Sequence, residues 1–262
     1  MSGDKPDYQL ISSLRYDKEA LISAQWNTSR NGDRQSAYLL LSYTVDRLTT
    51  AAKVHSWAVP VELALDSLES RCDASLKNKD LDQPYKIRIV LSRQGEISVK
   101  STPVPKLNNP KDLFVAAALN PSSSSLISEA PISVYLDTEP TSPSLFTSTK
   151  TTRREVYNLA RIRVGIPAIG VEPGTPNDVL LYRSDGRAME TSIRNIAFLR
   201  EGRWVTPFLQ VGCLPGVTRR LLVEEGKIVE SEILITDLKV GETLLLFNAV
   251  EGARLGKLCT SN

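Results

Sequence analysis

The chain has 262 residues, 41% of them hydrophobic and 24% charged, with 32 Lys and Arg against 30 Asp and Glu for a formal net charge of +2. That length can bury one large core or two smaller ones. The balanced charge, with no Lys/Arg block interleaved with aromatics, argues against nucleic acid as a partner.

Tyr8–Arg15 alternates apolar and polar residues as a half-buried strand does, and Glu19–Trp26 reads as its partner beyond a turn near Asp17. Asn27–Gln35 is a polar loop. Ala37–Ser56 carries Leu40, Leu41, Val45, Leu48 and Ala52 at helical spacing, and Pro60 opens a second helix reaching about Lys77. Tyr85–Leu91 and Ile97–Thr102 flank Arg93-Gln94-Gly95 as a hairpin. Prolines and serines then dominate from Pro103 to Ser125 and predict a linker. Beyond it the expected elements are strands at Ile132–Leu136, Val179–Tyr182, Ile196–Leu199 and Leu244–Phe247, with helices at Thr151–Gly165 and Val217–Glu225.

Cys72, Cys213 and Cys259 form no C-x-x-C pair, which fits buried or free thiols in a reducing compartment. The first ten residues lack the apolar run of a secretory leader, and the longest apolar stretches are too short to cross a bilayer. A cytoplasmic protein without membrane contact is expected. With His55 as the single histidine, multi-histidine zinc sites are impossible and no metal is expected. Proton transfer in an enzyme of this composition falls most readily to Lys, Tyr or a carboxylate.

Three local patterns could carry chemistry. In Gly212-Cys213-Leu214-Pro215-Gly216-Val217-Thr218 a glycine-bearing turn runs into a helix, where backbone N–H groups and the Thr218 hydroxyl suit a phosphate; an ordinary loop-to-helix junction is the competing reading. Lys150 lies between a turn and a helix, placed either for Schiff-base chemistry or as a solvated lysine at a helix start. Glu190 precedes a strand and serves either as a site carboxylate or as a cap.

Taken in order, STKTTRREVY around Lys150, METSIRNIAF with Glu190 and Asn195, VTPFLQVGCLPGVTRRLL, and LLLFNAVEGARLG resemble the class IV, fold-type IV pyridoxal-phosphate aminotransferase family. Within it, YQLISSLRYD, YKIRIVLSRQGEI and WVTPFLQVGCLPGVTRR are most similar to the fungal-type 4-amino-4-deoxychorismate lyases. The resemblance implies an α/β (α+β) two-domain fold: a small N-terminal α/β domain over residues 1–105, a linker over 106–131, and a larger cofactor-binding domain over 132–262 with a barrel-like sheet. It also implies pyridoxal 5'-phosphate as cofactor, a small-molecule substrate and a homodimer.

Residue by residue, the resemblance implies Lys150 as the Schiff-base lysine and proton shuttle, and Glu190 as the partner of the pyridine nitrogen, with Asn195 nearby. It further implies Val217, Thr218, Asn248 and Ala249 as phosphate contacts, and Arg47 as the phosphate-binding arginine of an H-x-x-R-L helix. Thr44 stands where that helix usually has His, and Arg153 where many members have Asn. Arg15 and Arg93 are candidates for the substrate carboxylates. The expected activity is conversion of 4-amino-4-deoxychorismate to 4-aminobenzoate and pyruvate in folate precursor synthesis. The alternatives are a class IV aminotransferase of branched-chain or D-amino acids, and a non-catalytic protein that retains the fold.

Overall fold

The computed structural model describes residues 8–107, 113–114, 130–171 and 175–260. By its internal contacts the chain divides into two units, Met1–Pro110 with Thr149–Arg153, and Lys111–Ser148 with Arg154–Asn262. The predicted linker, with its serine tract, falls largely outside the described residues.

In the first unit, β1 (Leu10–Tyr16), β2 (Tyr85–Leu91) and β3 (Ile97–Pro103) form an antiparallel sheet in that order, with Leu10 opposite Leu91 and Tyr16 opposite Tyr85. Alternating burial along β2 sends Ile87 and Ile89 inward. Two short helices follow β1, α1 (Lys18–Leu21) and α2 (Gln25–Arg30). They overturn the strand expected over Glu19–Trp26: Asp17 caps α1 by accepting the Ala20 N–H at 3.1 Å, so the chain coils at once. The longer helices α3 (Leu41–Val54) and α4 (Leu65–Leu76) pack on the sheet. Pro60 precedes only a 3-10 turn, Val61–Leu63, before α4 begins.

The return of Thr149–Arg153 to this unit has a backbone cause. The Ile11 N–H donates to the Lys150 carbonyl at 2.8 Å and the Thr152 N–H to the Gln9 carbonyl at 2.9 Å, so this segment pairs along the open edge of β1. The helix expected from Thr151 therefore starts only at Glu155, because residues 150–152 are already extended.

The second unit holds, among the described residues, an eight-stranded sheet curled into a half barrel, in the order β6-β5-β4-β11-β10-β7-β8-β9. Its strands are β4 (Ile132–Leu136), β5 (Asp178–Tyr182), β6 (Ala188–Thr191), β7 (Asn195–Arg200), β8 (Arg203–Pro207), β9 (Ile228–Ser231), β10 (Thr243–Asn248) and β11 (Gly252–Cys259). The helices are α5 (Leu145–Ser148), α6 (Glu155–Arg163) and α7 (Val217–Glu224). One face of β10 puts Leu244 and Leu246 against Val134, Phe198 and Leu258; the other puts Leu245 and Phe247 against Trp204, Leu222 and Ala253. Burial on both sides explains its continuous apolar run. Beside it lies β11, whose glycines hide it from a propensity argument. A Cβ on Gly256 would lie 2.7 Å from the Leu246 side chain, and one on Gly252, at φ +73°, would lie 2.1 Å from the Leu113 carbonyl oxygen.

Candidate active site

In the first unit β1 organises the site. Ser12 Oγ accepts a hydrogen bond from Arg47 of α3 at 2.5 Å, and the adjacent Ile11 holds the Lys150 main chain. The start of α3 is fixed by two buried asparagines. Asn27 Oδ1 accepts the N–H of Leu40, which caps the helix at φ 51°, and Asn31 Oδ1 accepts the Ser42 N–H. Arg47 forms no ion pair among the described residues, and its Nε has no partner there. Burial lowers its pKa to about 10. A guanidinium removed from water without a counter-charge is costly, and a bound anion relieves that cost.

In the second unit Glu190 lies within β6 and also ahead of the predicted strand, β7. Its buried carboxylate accepts from three neutral donors: the Tyr157 hydroxyl at 2.8 Å, the Leu214 N–H at 3.2 Å and Asn195 Nδ2 at 3.1 Å. Burial and then the Glu190 charge push the Tyr157 phenol well above its ordinary value. The same two causes push the Cys213 thiol to about 12. Tyr157 is therefore a hydrogen-bond donor to Glu190 and no proton source at neutral pH.

The Gly212–Thr218 turn ends in α7. The first bond of that helix runs from the Arg220 N–H to the Gly216 carbonyl, leaving the amides of Val217, Thr218 and Arg219 outside its ladder, and Gly216 offers no side-chain cap. The buried Thr218 hydroxyl has no partner among the described residues. A Cβ on Gly216 would sit 2.1 Å from Asn195 Oδ1. Free amides, an unpartnered hydroxyl and a glycine approach form a cradle that fits a phosphate group, as does Arg47 in its own unit.

Other predicted residues have different surroundings. Asn195 donates to Glu190 and to the Leu214 carbonyl, so it positions the carboxylate and the turn. Asn248 Oδ1 accepts the N–H groups of Val250 and Glu251, while its Nδ2 donates to Glu251; its side chain is spent on the β10–β11 turn beside buried Ala249. Arg15 is corrected. It is buried, bonded to Asp17 at 2.8 Å and to the Pro105 carbonyl at 2.9 Å, which commits its guanidinium to the fold. Arg93 lies exposed in the β2–β3 turn.

Sequence reasoning missed Tyr157, Ser12 and Thr149 as polar partners. Tyr157 was legible only as an apolar helix position. Among the described residues no group of three or more His, Cys, Asp or Glu could hold a metal ion, and no helix is long and apolar enough to cross a membrane.

Residues 34–256 match the family described as Amino-transferase class IV, and the chain belongs to that family. It is 32% identical over 196 residues to "Aminodeoxychorismate lyase" of Saccharomyces cerevisiae, covering 68% of this chain and 52% of that protein. It is 30% identical over 215 residues to "Putative aminodeoxychorismate lyase" of Schizosaccharomyces pombe, covering 80% of each. The chain thus spans about half the length of the first of these relatives. A crystal structure of a "Putative amino-acid aminotransferase" from Mesorhizobium loti superposes with a TM-score of 0.68 at 22% identity, covering 96% of this chain and 100% of the other, which establishes the shared fold.

Proposed function

We propose that the chain is a pyridoxal-phosphate-dependent lyase that converts 4-amino-4-deoxychorismate to 4-aminobenzoate and pyruvate, a folate precursor step. The observation that carries this reading is the match, at 30% identity or more, to two yeast proteins bearing the lyase name. Supporting it within the chain are a lysine whose main chain pairs with β1, a buried arginine without an ion pair among the described residues that bonds to the same strand, and a carboxylate held by neutral donors in the unit that carries the helix-start cradle. A cytoplasmic location and a homodimer belong to the same proposal.

When bound, pyridoxal phosphate supplies a ring that accepts the electron pair released at the substrate carbon. In the first unit Arg47 would meet the phosphate charge, and in the second Thr218 and the amides of Val217 and Thr218 would donate to a phosphate. Glu190, oriented by Tyr157, Asn195 and the Leu214 amide, would accept the hydrogen bond of a pyridine nitrogen. Lys150 Nζ would attach the cofactor, take the proton from the amine-bearing carbon of the substrate and give one back to the departing enolpyruvyl group, which becomes pyruvate. Loss of that proton and that side chain leaves an aromatic ring, which drives the elimination.

The substrate carries two carboxylates. In the strand register Arg88 lies directly opposite Lys100, and neither forms an ion pair among the described residues. Like charges facing across a sheet cost up to about 1 kcal/mol, and a dicarboxylate offsets that repulsion. These residues replace Arg15 beside Arg93 as substrate ligands. Arg88→Ala is expected to raise KM about tenfold with kcat within about twofold, the value of one charge-assisted hydrogen bond; a lower kcat at constant KM contradicts the assignment.

The decisive assay supplies the purified, cofactor-loaded protein with aminodeoxychorismate and no keto acid. Pyruvate release supports the lyase. Amino transfer to 2-oxoglutarate without pyruvate release establishes the aminotransferase instead, and failure to take up the cofactor establishes a non-catalytic protein.

A further inference from the structure

The single histidine takes no part in the chemistry above, yet it contacts the residue that precedes the lysine. His55 caps the C-terminal end of α3, eight residues or about 12 Å along the helix from Arg47. Its Nε2 lies 2.7 Å from Thr149 Oγ1, and Thr149 immediately precedes Lys150. Its Nδ1 lies 2.7 Å from the Tyr8 hydroxyl. The ring is also packed: the Tyr8 and Trp57 ring centroids are 5.3 Å apart, and each lies within 6 Å of the imidazole. All four residues belong to the first unit.

We propose that His55 is a positioning residue for Lys150. Gripped by Tyr8 and the aromatic packing, the imidazole fixes Thr149, and through it the main chain from which the lysine side chain departs. The inference rests on the reading of Lys150 as the cofactor lysine. The Lys150 carbonyl is already anchored to Ile11, so the Thr149 hydroxyl provides the second fixed point, on the N-terminal side of the lysine.

The choice of residue has a chemical reason. Burial lowers the His55 pKa below its ordinary 6.5, so the ring is uncharged at neutral pH, one nitrogen donating and the other accepting. The Tyr8 and Thr149 hydroxyls can each donate or accept, so either tautomer satisfies both bonds.

The test separates the two ends of the imidazole. Gln places a polar group where Nε2 lies and keeps the bond to Thr149; Asn places one where Nδ1 lies and keeps only the bond to Tyr8. His55→Asn and Thr149→Val are expected to lower kcat about tenfold with substrate KM unchanged, the effect of one lost buried hydrogen bond, and to displace the pH titration of the visible absorbance of the cofactor-loaded protein. His55→Gln and Thr149→Ser are expected to stay within about twofold of wild type on both readouts, and His55→Leu with Thr149→Val to be no worse than either alone. With one histidine in the chain, its imidazole NMR signals need no assignment. In cofactor-free protein, Thr149→Val should move the Nε2 signal.

Wild-type kcat and absorbance in His55→Asn, additive losses in the double variant, or an Nε2 signal unmoved by Thr149→Val overturns the role of His55 and leaves the function intact. A wild-type protein that takes up no pyridoxal phosphate overturns the function, and this role with it.

Discussion

Lys150→Ala is expected to give a folded protein that holds pyridoxal phosphate only reversibly, losing its colour on gel filtration, and releases pyruvate at least about 10⁴-fold more slowly than wild type, the upper range for loss of one positioned proton-transfer group. The fold survives because the bond that seats the residue is a main-chain one: the Ile11 N–H donates to the carbonyl of residue 150 whatever its side chain. Circular dichroism and thermal melting matching wild type, together with no visible absorbance left after gel filtration, are the signature. A variant that keeps its colour and its activity shows that another amine binds the cofactor.

The same substitution separates covalent attachment from phosphate capture. Arg47 and the α7 cradle are untouched by it, so Lys150→Ala should still bind pyridoxal phosphate non-covalently, and inorganic phosphate should compete. Such competition ties the orphaned Thr218 hydroxyl and the Arg47 guanidinium to an anion.

Much of the fold is legible where burial imposes a local period. The Tyr85–Leu91 and Ile97–Pro103 hairpin follows from alternation, and Leu244–Phe247 from burial on both faces. The stretch Glu19–Trp26 misleads because its short apolar pattern suits a strand and a helix equally, and the Asp17 cap decides. The strand Gly252–Cys259 is masked by glycines that close packing demands. Pairing of residues 150–152 with β1 joins segments about 140 positions apart and leaves no local pattern. Among the proposed site residues, Lys150, Glu190, Thr218 and Arg47 are legible through their resemblance to family motifs, whereas Tyr157 shows its contact only once its hydroxyl meets Glu190. Arg15 offered a clue that went unused: on an extended chain residues two apart share a side, which brings its guanidinium to Asp17.

The carboxylate at residue 190 is held in turn by a deeper charge network, and its removal should have the largest effect on stability. Asp178, fully buried at the start of β5, accepts from the Ser192 N–H at 2.9 Å, from Ser192 Oγ, from Thr191 Oγ1 at 2.9 Å and from Arg194 at 2.7 Å, with Arg161 at 3.7 Å. Arg194 also forms a two-pronged pair with Glu251 at 2.7 and 2.8 Å. Burial pushes the Glu251 carboxyl up, but Arg194 outweighs it and leaves the group below its ordinary 4.5. Glu251 therefore contributes stability that is present above about pH 4.5 and is lost as the pH falls through its folded-state value. Asp178→Ala leaves Arg194 with Glu251 alone and Arg161 with no carboxylate among the described residues, and frees the segment 191–195 that links Glu190 to Asn195. Breaking a buried pair in this way costs about 3–5 kcal/mol, so denaturant unfolding should show the loss directly. Cofactor affinity should fall with it, because Asn195 and the Leu214 turn lose their footing together. Asp178→Asn keeps the oxygen that accepts from the Ser192 N–H and hydroxyl, but puts an NH2 donor where Thr191 and Arg194 now donate, and removes the charge; it should lose most of the same stability if the two arginines dominate. If Asn is nearly as stable as Asp, the hydrogen bonds to Ser192, and not the ion pairs, hold this part of the molecule.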